Sequence, residues 1–147
     1  MAVTRTANAT WRGNLTDGRG TVSSGTSSRF NDLPVSWNAR TDEPEGLTSP
    51  EELLAAAHAS CFSMAFSSNL FKAGFTAERL DVTSTITFDK LDAGWTVVSS
   101  ALTVRGRVPG ADQAAFQQAA EAAKDGCPIS RALKGNVELS VEATLEQ

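Results

Sequence analysis

The chain is short of the groups that hold metals: it has one histidine, His58, and two cysteines, Cys61 and Cys127. A four-ligand zinc site cannot be completed from these without carboxylates, so no metal is assigned. Positive charge is not in excess either. The formal net charge is -4 at pH 7, the sequence pI is near 5.0, and Lys and Arg are scattered along the chain. That leaves no basic patch to neutralise phosphates, and nucleic acid is not an expected partner. Long apolar runs are also missing. The N-terminal MAVTRTANATWRG has no stretch of signal-peptide length, and the longest apolar region is interrupted by His58, Ser60 and Ser63. A cytoplasmic protein without a membrane partner is expected. No repeat, linker or low-complexity tail divides the sequence.

What is present reads as one ordinary globular domain over 1–147, with 41% hydrophobic and 20% charged residues and a mean hydropathy of -0.18. Its most informative stretch runs from Ser49 to Gly74. Ser49 suits an N-cap, Pro50 the first helical position, and Glu51 and Glu52 the positive end of the helix. Ser49 and Glu52 have the capping-box spacing. From Leu53 to Phe66 apolar residues fall on nearly every side, so the helix is expected to be buried centrally. Lys72 lies in the last turn, and Gly74 can close the helix in the left-handed conformation with Phe75 folded back.

Residues 8–38 read as short strands with turns at Thr16-Asp17-Gly18 and near Asn31-Asp32, and Asn38 to Thr48 as an exposed loop. After the helix, Leu80, Val82, Ile86 and Phe88 share one parity, with Ser84 its only polar member, which predicts a half-buried strand. A second strand over Trp95–Val108 changes phase, placing a bulge or bend near Ser99-Ser100. Asp112 is placed to cap a helix that stops at Gly126, and Pro128 to begin a short one ended by Gly135. Val137, Leu139, Val141, Ala143 and Leu145 mark a last strand. The expected class is α+β, with antiparallel sheet, one central helix and a smaller outer pair.

A cysteine is nucleophilic as its thiolate, and burial in an apolar helix alone raises its pKa. Reactivity at Cys61 therefore requires a cation. His58, three positions earlier on the same helix, is one candidate, although a neutral core histidine bonded to a carbonyl or hydroxyl reads as well. Arg40 is the other, because an arginine stays charged in any surroundings, and Glu51 could hold its guanidinium. Propensity alone equally describes Arg40 as a solvated loop charge and Glu51 as a helix-start residue. Cys127 precedes Pro128 at a helix start, where a thiol pKa falls. Two unrelated buried cysteines fit the composition too, and their separation matches no known spacing motif.

SPEELLAAAHASCFSMA, GCPISRALK and the LDAGW and VPG turns strongly resemble the OsmC and Ohr family of thiol peroxidases. The likeness runs from Trp11 to Leu145 and is closer to the OsmC branch, in which the active-site arginine follows the N-terminal strands, as Arg40 does in WNAR. Ohr-like chains take it from the first hairpin, roughly where Arg19 stands. The resemblance implies an OsmC-like fold, with antiparallel sheets wrapped around long central helices in an intertwined homodimer. It implies that Cys61 is the peroxidatic thiol and Cys127 the resolving thiol, with Arg40 stabilising the thiolate and Glu51 orienting Arg40. The implied activity is reduction of organic hydroperoxides, and less well of hydrogen peroxide, through a Cys61 sulfenic acid and a Cys61–Cys127 disulfide. No cofactor is implied beyond an external dithiol, lipoylated or thioredoxin-like. A redox-sensing or small-ligand binding module of the same fold, without turnover, is the alternative. Phe62, Met64 and Phe66 suggest room near Cys61 for an apolar substituent, or are simply core.

Glu51 and Cys61 are ten positions apart, about 15 Å along a straight helix and on different sides of it. A second copy packed antiparallel about a two-fold axis near residue 56 would bring Glu51 of one chain level with Cys61 of the other. Ala55, Ala56 and Ala57 leave room for such a crossing, unless they pack on the chain's own sheet. The expected assembly is a homodimer with two composite sites.

Overall fold

The computed structural model describes residues 1–146, which fall into two compact units, Met1–Leu53 and the remainder from Leu54. In the first unit β1 (Ala7–Arg12), β2 (Arg19–Ser24) and β3 (Leu33–Val35) form an antiparallel sheet in chain order. Asn14 builds the expected turn between β1 and β2. Its carbonyl accepts from the Gly18 N–H at 3.0 Å and its side-chain oxygen from the Asp17 N–H at 2.8 Å. Every residue of β1 is exposed. The buried apolar residues of the chain all lie beyond Leu53, among the described residues.

The stretch after β3 is more ordered than an exposed loop. It opens with one helical turn, α1 (Asn38–Thr41), whose start is held by the Ser36 hydroxyl accepting from the Ala39 N–H at 3.1 Å. Four residues are too few to show helical periodicity, so the polar composition concealed the turn. At the far end of the loop, the Thr48 N–H donates to the Pro34 carbonyl at 3.0 Å and returns the chain to β3.

The long helix α2 spans Pro50–Lys72. Ser49 caps it as expected, its hydroxyl accepting from the Glu52 N–H at 3.1 Å. Only half of the capping box forms on Ser49, because the Glu52 carboxylate instead accepts from the Thr48 hydroxyl at 2.6 Å. At the other end Gly74 has φ +94°, the Phe75 N–H reaches the Leu70 carbonyl at 2.9 Å, and the Gly74 N–H reaches that of Phe71 at 3.0 Å. These are the two bonds of a Schellman ending, and Phe75 packs on the core beside it.

The helix has two apolar faces, and one chain covers only one of them. His58, Phe62, Phe66 and Leu70 are fully buried, whereas Ala56, Ala57, Ser60, Met64 and Phe71 are exposed, Met64 and Phe71 at 72% each. Ala56 and Ala57 therefore do not pack on the chain's own sheet. The suggested substituent site is not formed by Phe62 and Phe66 either. They are core, with Phe66 ring centroids 5.5 Å from Phe62 and 4.9 Å from Phe116, each buried Phe contributing about 1.5–3 kcal/mol of transfer free energy.

In the second unit β4 (Arg79–Leu91) and β5 (Gly94–Arg107) form a long antiparallel hairpin. Thr87 pairs with Ser99 and Phe88 with Val97, which leaves Val98 as the extra residue of a bulge beside the expected position. Two helices follow, α3 (Gln113–Gly126), capped by Asp112, and α4 (Pro128–Leu133). The chain then returns to the sheet as β6 (Glu138–Leu145), paired with β5. This pairing corrects the expectation of an all-antiparallel sheet, because β6 runs parallel to β5. The helical crossover between them is what a parallel neighbour needs, whereas a tight hairpin would have reversed the chain.

Gly106 on β5 faces the core, where an added Cβ would stand 2.6 Å from Phe116 Cζ and 2.8 Å from Leu80 Cδ2. Gly106→Ala is expected to lower stability by about 1–3 kcal/mol through overpacking. A urea midpoint equal to that of the wild type would contradict this. Among the described residues no helix is long and apolar enough to cross a membrane.

Candidate active site

Two pairs of side chains are candidates for chemistry, one in each unit. In the first unit the turn of α1 presents Arg40, and the first turn of α2 presents Glu51. The Arg40 guanidinium donates from Nε to both carboxylate oxygens at 3.2 Å and from Nη2 to Oε1 at 2.7 Å. Its carbon also lies 5.4 Å from the centroid of the Trp37 ring. Glu51 is buried and Arg40 partly so, with side-chain exposures of 11% and 29%. Neither the solvated loop charge nor the simple helix-start carboxylate describes them. A fork of this kind fixes the plane of the guanidinium while leaving Nη1 outside these three bonds. Arg19 is differently placed, its guanidinium donating to the Gly18 carbonyl at 2.8 Å.

Beside this pair lies a cavity of about 330 Å³, with Trp11, Leu15, Val35, Trp37, Pro50 and Arg40 in its lining. Its wall is mostly apolar with a cation at one side.

The second pair is Cys61, in the middle of α2, and Cys127, between α3 and α4. Both are free thiols, and their sulfurs are 3.0 Å apart. A covalent disulfide requires about 2.05 Å, so the pair is reduced and within bonding reach. Helix endings hold Cys127 there: its N–H donates to the Ala123 carbonyl at 2.9 Å and its carbonyl accepts from the Arg131 N–H at 3.0 Å. Pro128, at the first position of α4, has no N–H to satisfy.

The two thiols are not equivalent. Burial pushes the Cys61 pKa up, as does its hydrogen bond with Cys127, against a smaller downward effect of the Ile129 N–H. Burial also acts upward on Cys127. There it is outweighed by hydrogen bonds from Cys61, from the N–H and hydroxyl of Ser130 and from the Ile129 N–H, which hold Cys127 below the ordinary thiol range. These groups favour a thiolate on Cys127 over one on Cys61. A cation close to Cys61 would favour its thiolate instead, the condition that sequence reasoning set for a reactive Cys61.

His58 is completely buried and bonded to two hydroxyls, Nδ1 to Ser100 Oγ at 2.6 Å and Nε2 to Ser130 Oγ at 2.8 Å. Ser100 is bonded in turn to Ser84 Oγ at 2.9 Å. Burial holds the His58 pKa below its ordinary value, so the imidazole is neutral at neutral pH. Sequence reasoning missed Ser130, Ser100 and Trp37. One signal was available in Ser84, the single polar residue on the inward parity of β4 between Leu80 and Phe88. Among the described residues no cluster of three or more His, Cys, Asp or Glu is placed to hold a metal ion.

The family described as OsmC-like protein matches residues 41–142, and Peroxiredoxin OsmC of Escherichia coli (strain K12) is 41% identical over 142 residues, covering 97% of this chain and 98% of that one. The chain belongs to the OsmC family. An Organic hydroperoxide resistance protein of Xanthomonas axonopodis pv. citri (strain 306) is 30% identical over 100 residues, 64% of this chain and 65% of that one. Among solved structures, the Organic Hydroperoxide Resistance Protein OhrB of Bacillus subtilis superposes with a TM-score of 0.71 at 24% identity, covering 95% and 98% of the two chains. Glu51 holds Arg40, which lies one residue before the start of the OsmC family match.

Proposed function

We propose that this OsmC family member is a cysteine-based peroxidase that reduces organic hydroperoxides. The observation that carries the reading is the reduced Cys61–Cys127 pair at 3.0 Å, one thiol on a central helix and the other at a helix junction. The names of its relatives, peroxiredoxin and organic hydroperoxide resistance protein, support a peroxidase-type activity.

In the proposed cycle the Cys61 thiolate attacks one oxygen of ROOH and the O–O bond breaks. The other oxygen departs as alkoxide and takes a proton to become alcohol, leaving Cys61 as sulfenic acid. Cys127 sulfur then attacks Cys61 sulfur, the S–O bond breaks, and water leaves as the disulfide forms. An external dithiol, lipoylated or thioredoxin-like, restores both thiols. Arg40, oriented by Glu51, stabilises the thiolate and then the charge on the departing oxygen. The apolar cavity beside Arg40 favours an organic substituent over hydrogen peroxide. We place the reaction in the cytoplasm, where such dithiols are kept reduced.

The functional unit in this reading is a homodimer of intertwined OsmC-like domains, each spanning 1–147. Arg40 and Glu51 of one copy serve Cys61 and Cys127 of the other. Support comes from the exposed second face of α2, with its alanines, Met64 and Phe71, and from a β1 strand with no buried residue. Both are surfaces a second copy would cover.

Intact mass is the direct test. One equivalent of tert-butyl hydroperoxide should remove two hydrogens from the chain, and dihydrolipoamide should restore them with continued consumption of peroxide. A protein that loses the hydrogens once but does not turn over with any dithiol is instead a stoichiometric sensor.

A further inference from the structure

The helix that follows Cys127, α4, has six residues and one fully buried side chain, and that side chain is polar. Ser130 is completely buried, whereas Pro128, Arg131 and Ala132 are exposed and Ile129 and Leu133 are only partly covered. A helix this short is not stable by itself in water. Its place must be set from outside, and apolar burial by parts of two side chains gives little to set it with. The fixed point is Ser130, whose hydroxyl is bonded to Nε2 of His58 on α2 at 2.8 Å.

His58 is held in its turn. Its Nδ1 lies 2.6 Å from Ser100 Oγ on β5, and that oxygen lies 2.9 Å from Ser84 Oγ on β4, so the ring plane is tied to two strands of the sheet. His58 and Cys61 are three positions apart on α2, one helical turn, and Cys127 and Ser130 are three positions apart across the start of α4. The same two turns are therefore joined twice, by sulfur to sulfur at 3.0 Å and by imidazole to hydroxyl at 2.8 Å. Only the first junction has a part in the cycle above. A histidine kept for packing needs polar partners for its nitrogens, but nothing in packing requires one of them to sit on the turn that carries the second thiol.

We propose that His58 is a positioning residue for the Cys61–Cys127 disulfide, acting through Ser130 to hold the start of α4 against α2. The inference rests on the peroxidase reading for its use, since resolution converts sulfenic acid and thiol into disulfide and water. The sulfurs are 3.0 Å apart as thiols and about 2.05 Å apart once bonded. An intramolecular attack is fast when the reacting atoms are kept near contact, and loses that advantage when one of them can move away. In the dithiol chain the bond between imidazole and hydroxyl supplies the restraint. In the oxidised chain the disulfide itself supplies it. Loss of the hydrogen bond therefore frees α4 in the dithiol state alone and favours that state. The imidazole transfers no proton in this role and acts as a neutral strut, the form in which its burial keeps it.

The equilibrium between dithiol and disulfide reads this restraint, because a merely structural contact would lower stability without moving it. The chain is equilibrated with mixtures of reduced and oxidised dithiothreitol and its free thiols are counted. Ser130→Ala should lower the constant for disulfide formation about tenfold, which makes the two-electron reduction potential about 30 mV less negative. In single turnover with tert-butyl hydroperoxide it should form sulfenic acid at the wild-type rate and disulfide about tenfold more slowly. Ser100→Ala, which releases the opposite edge of the imidazole from a strand that carries neither thiol, should shift both in the same direction by about threefold. Gly106→Ala, which strains the core elsewhere, should leave the potential unchanged. A wild-type potential in Ser130→Ala overturns the proposal. So does a shift in Ser130→Ala with none in Ser100→Ala, which would place the effect at the Cys127 sulfur and not in the imidazole. If Ser130→Ala does not fold, the potential of Ser100→Ala decides. Failure of the peroxidase reading would look different, because the wild type would leave hydroperoxide unconsumed, whereas the dithiothreitol equilibrium involves no peroxide and still tests the strut.

Discussion

Cys61→Ser is expected to stop hydroperoxide consumption, lowering the rate by at least ~10³-fold, as removal of a nucleophile does. The serine hydroxyl would occupy the same place on α2, but it does not ionise near neutral pH and cannot take up a peroxide oxygen in a reducible form. Cys127→Ser should behave differently. It retains the proposed peroxidatic thiol, so the first equivalent of hydroperoxide should still be consumed, and intact mass should show the gain of one oxygen on Cys61. Further peroxide should carry that sulfur to the sulfinic acid, because the chain has no other thiol to trap the sulfenic acid. The order of the two cysteines is what this pair of variants decides. The chain's own hydrogen bonds favour the thiolate on Cys127, so an oxygen found on Cys127 of Cys61→Ser protein would mean that the roles are reversed.

The second large effect is expected from two inactive proteins mixed together. Arg40→Ala and Glu51→Ala should each raise the Cys61 pKa, by about 1–3 units if a close cation is lost. Each should slow peroxide reduction at neutral pH and be partly rescued at higher pH. If the site is shared between copies, a dimer of one Glu51→Ala chain and one Cys61→Ser chain contains one intact site, because the cysteines of the first meet the Glu51 of the second. Random pairing of equal amounts should then restore about a quarter of the wild-type activity. Co-expression with two affinity tags allows the mixed dimer to be isolated and assayed. Absence of recovery in a purified mixed dimer would place all four residues in one chain and overturn the shared site.

Much of the fold could be read in the sequence because its signals are local. Ser49, Asp112, Pro128 and Gly74 each act within one helical turn, and their bonds are found where the residue types put them. The alternations of β4 and β6 depend only on which side of one strand meets the core. The direction of β6 could not be read this way, since a period of two is the same for parallel and antiparallel neighbours. Its partner is set by the crossover instead. The candidate site divides along the same line. Cys61, Cys127, Arg40 and Glu51 came from residue chemistry and the family resemblance, whereas Ser100 and Ser130 lie 42 and 72 positions from His58 and had no spacing to announce them. Serine is common enough that a single polar residue on an inward parity, Ser84, was the only local mark of the network.

The two closures of α2 have a consequence for how chains of this design can differ in length. Ser49 fixes where the helix begins and the Gly74 turn where it stops, with no looser segment between them to absorb a change. One residue inserted between Glu51 and Cys61 would turn the carboxylate about 100° against the thiol and move it about 1.5 Å along the axis. Insertions in the loop after α1 or the turn between β4 and β5 would leave that register alone. If the proposed shared site is correct, length variation should therefore be tolerated at those connections and excluded from the segment between 51 and 61, which would work as a ruler.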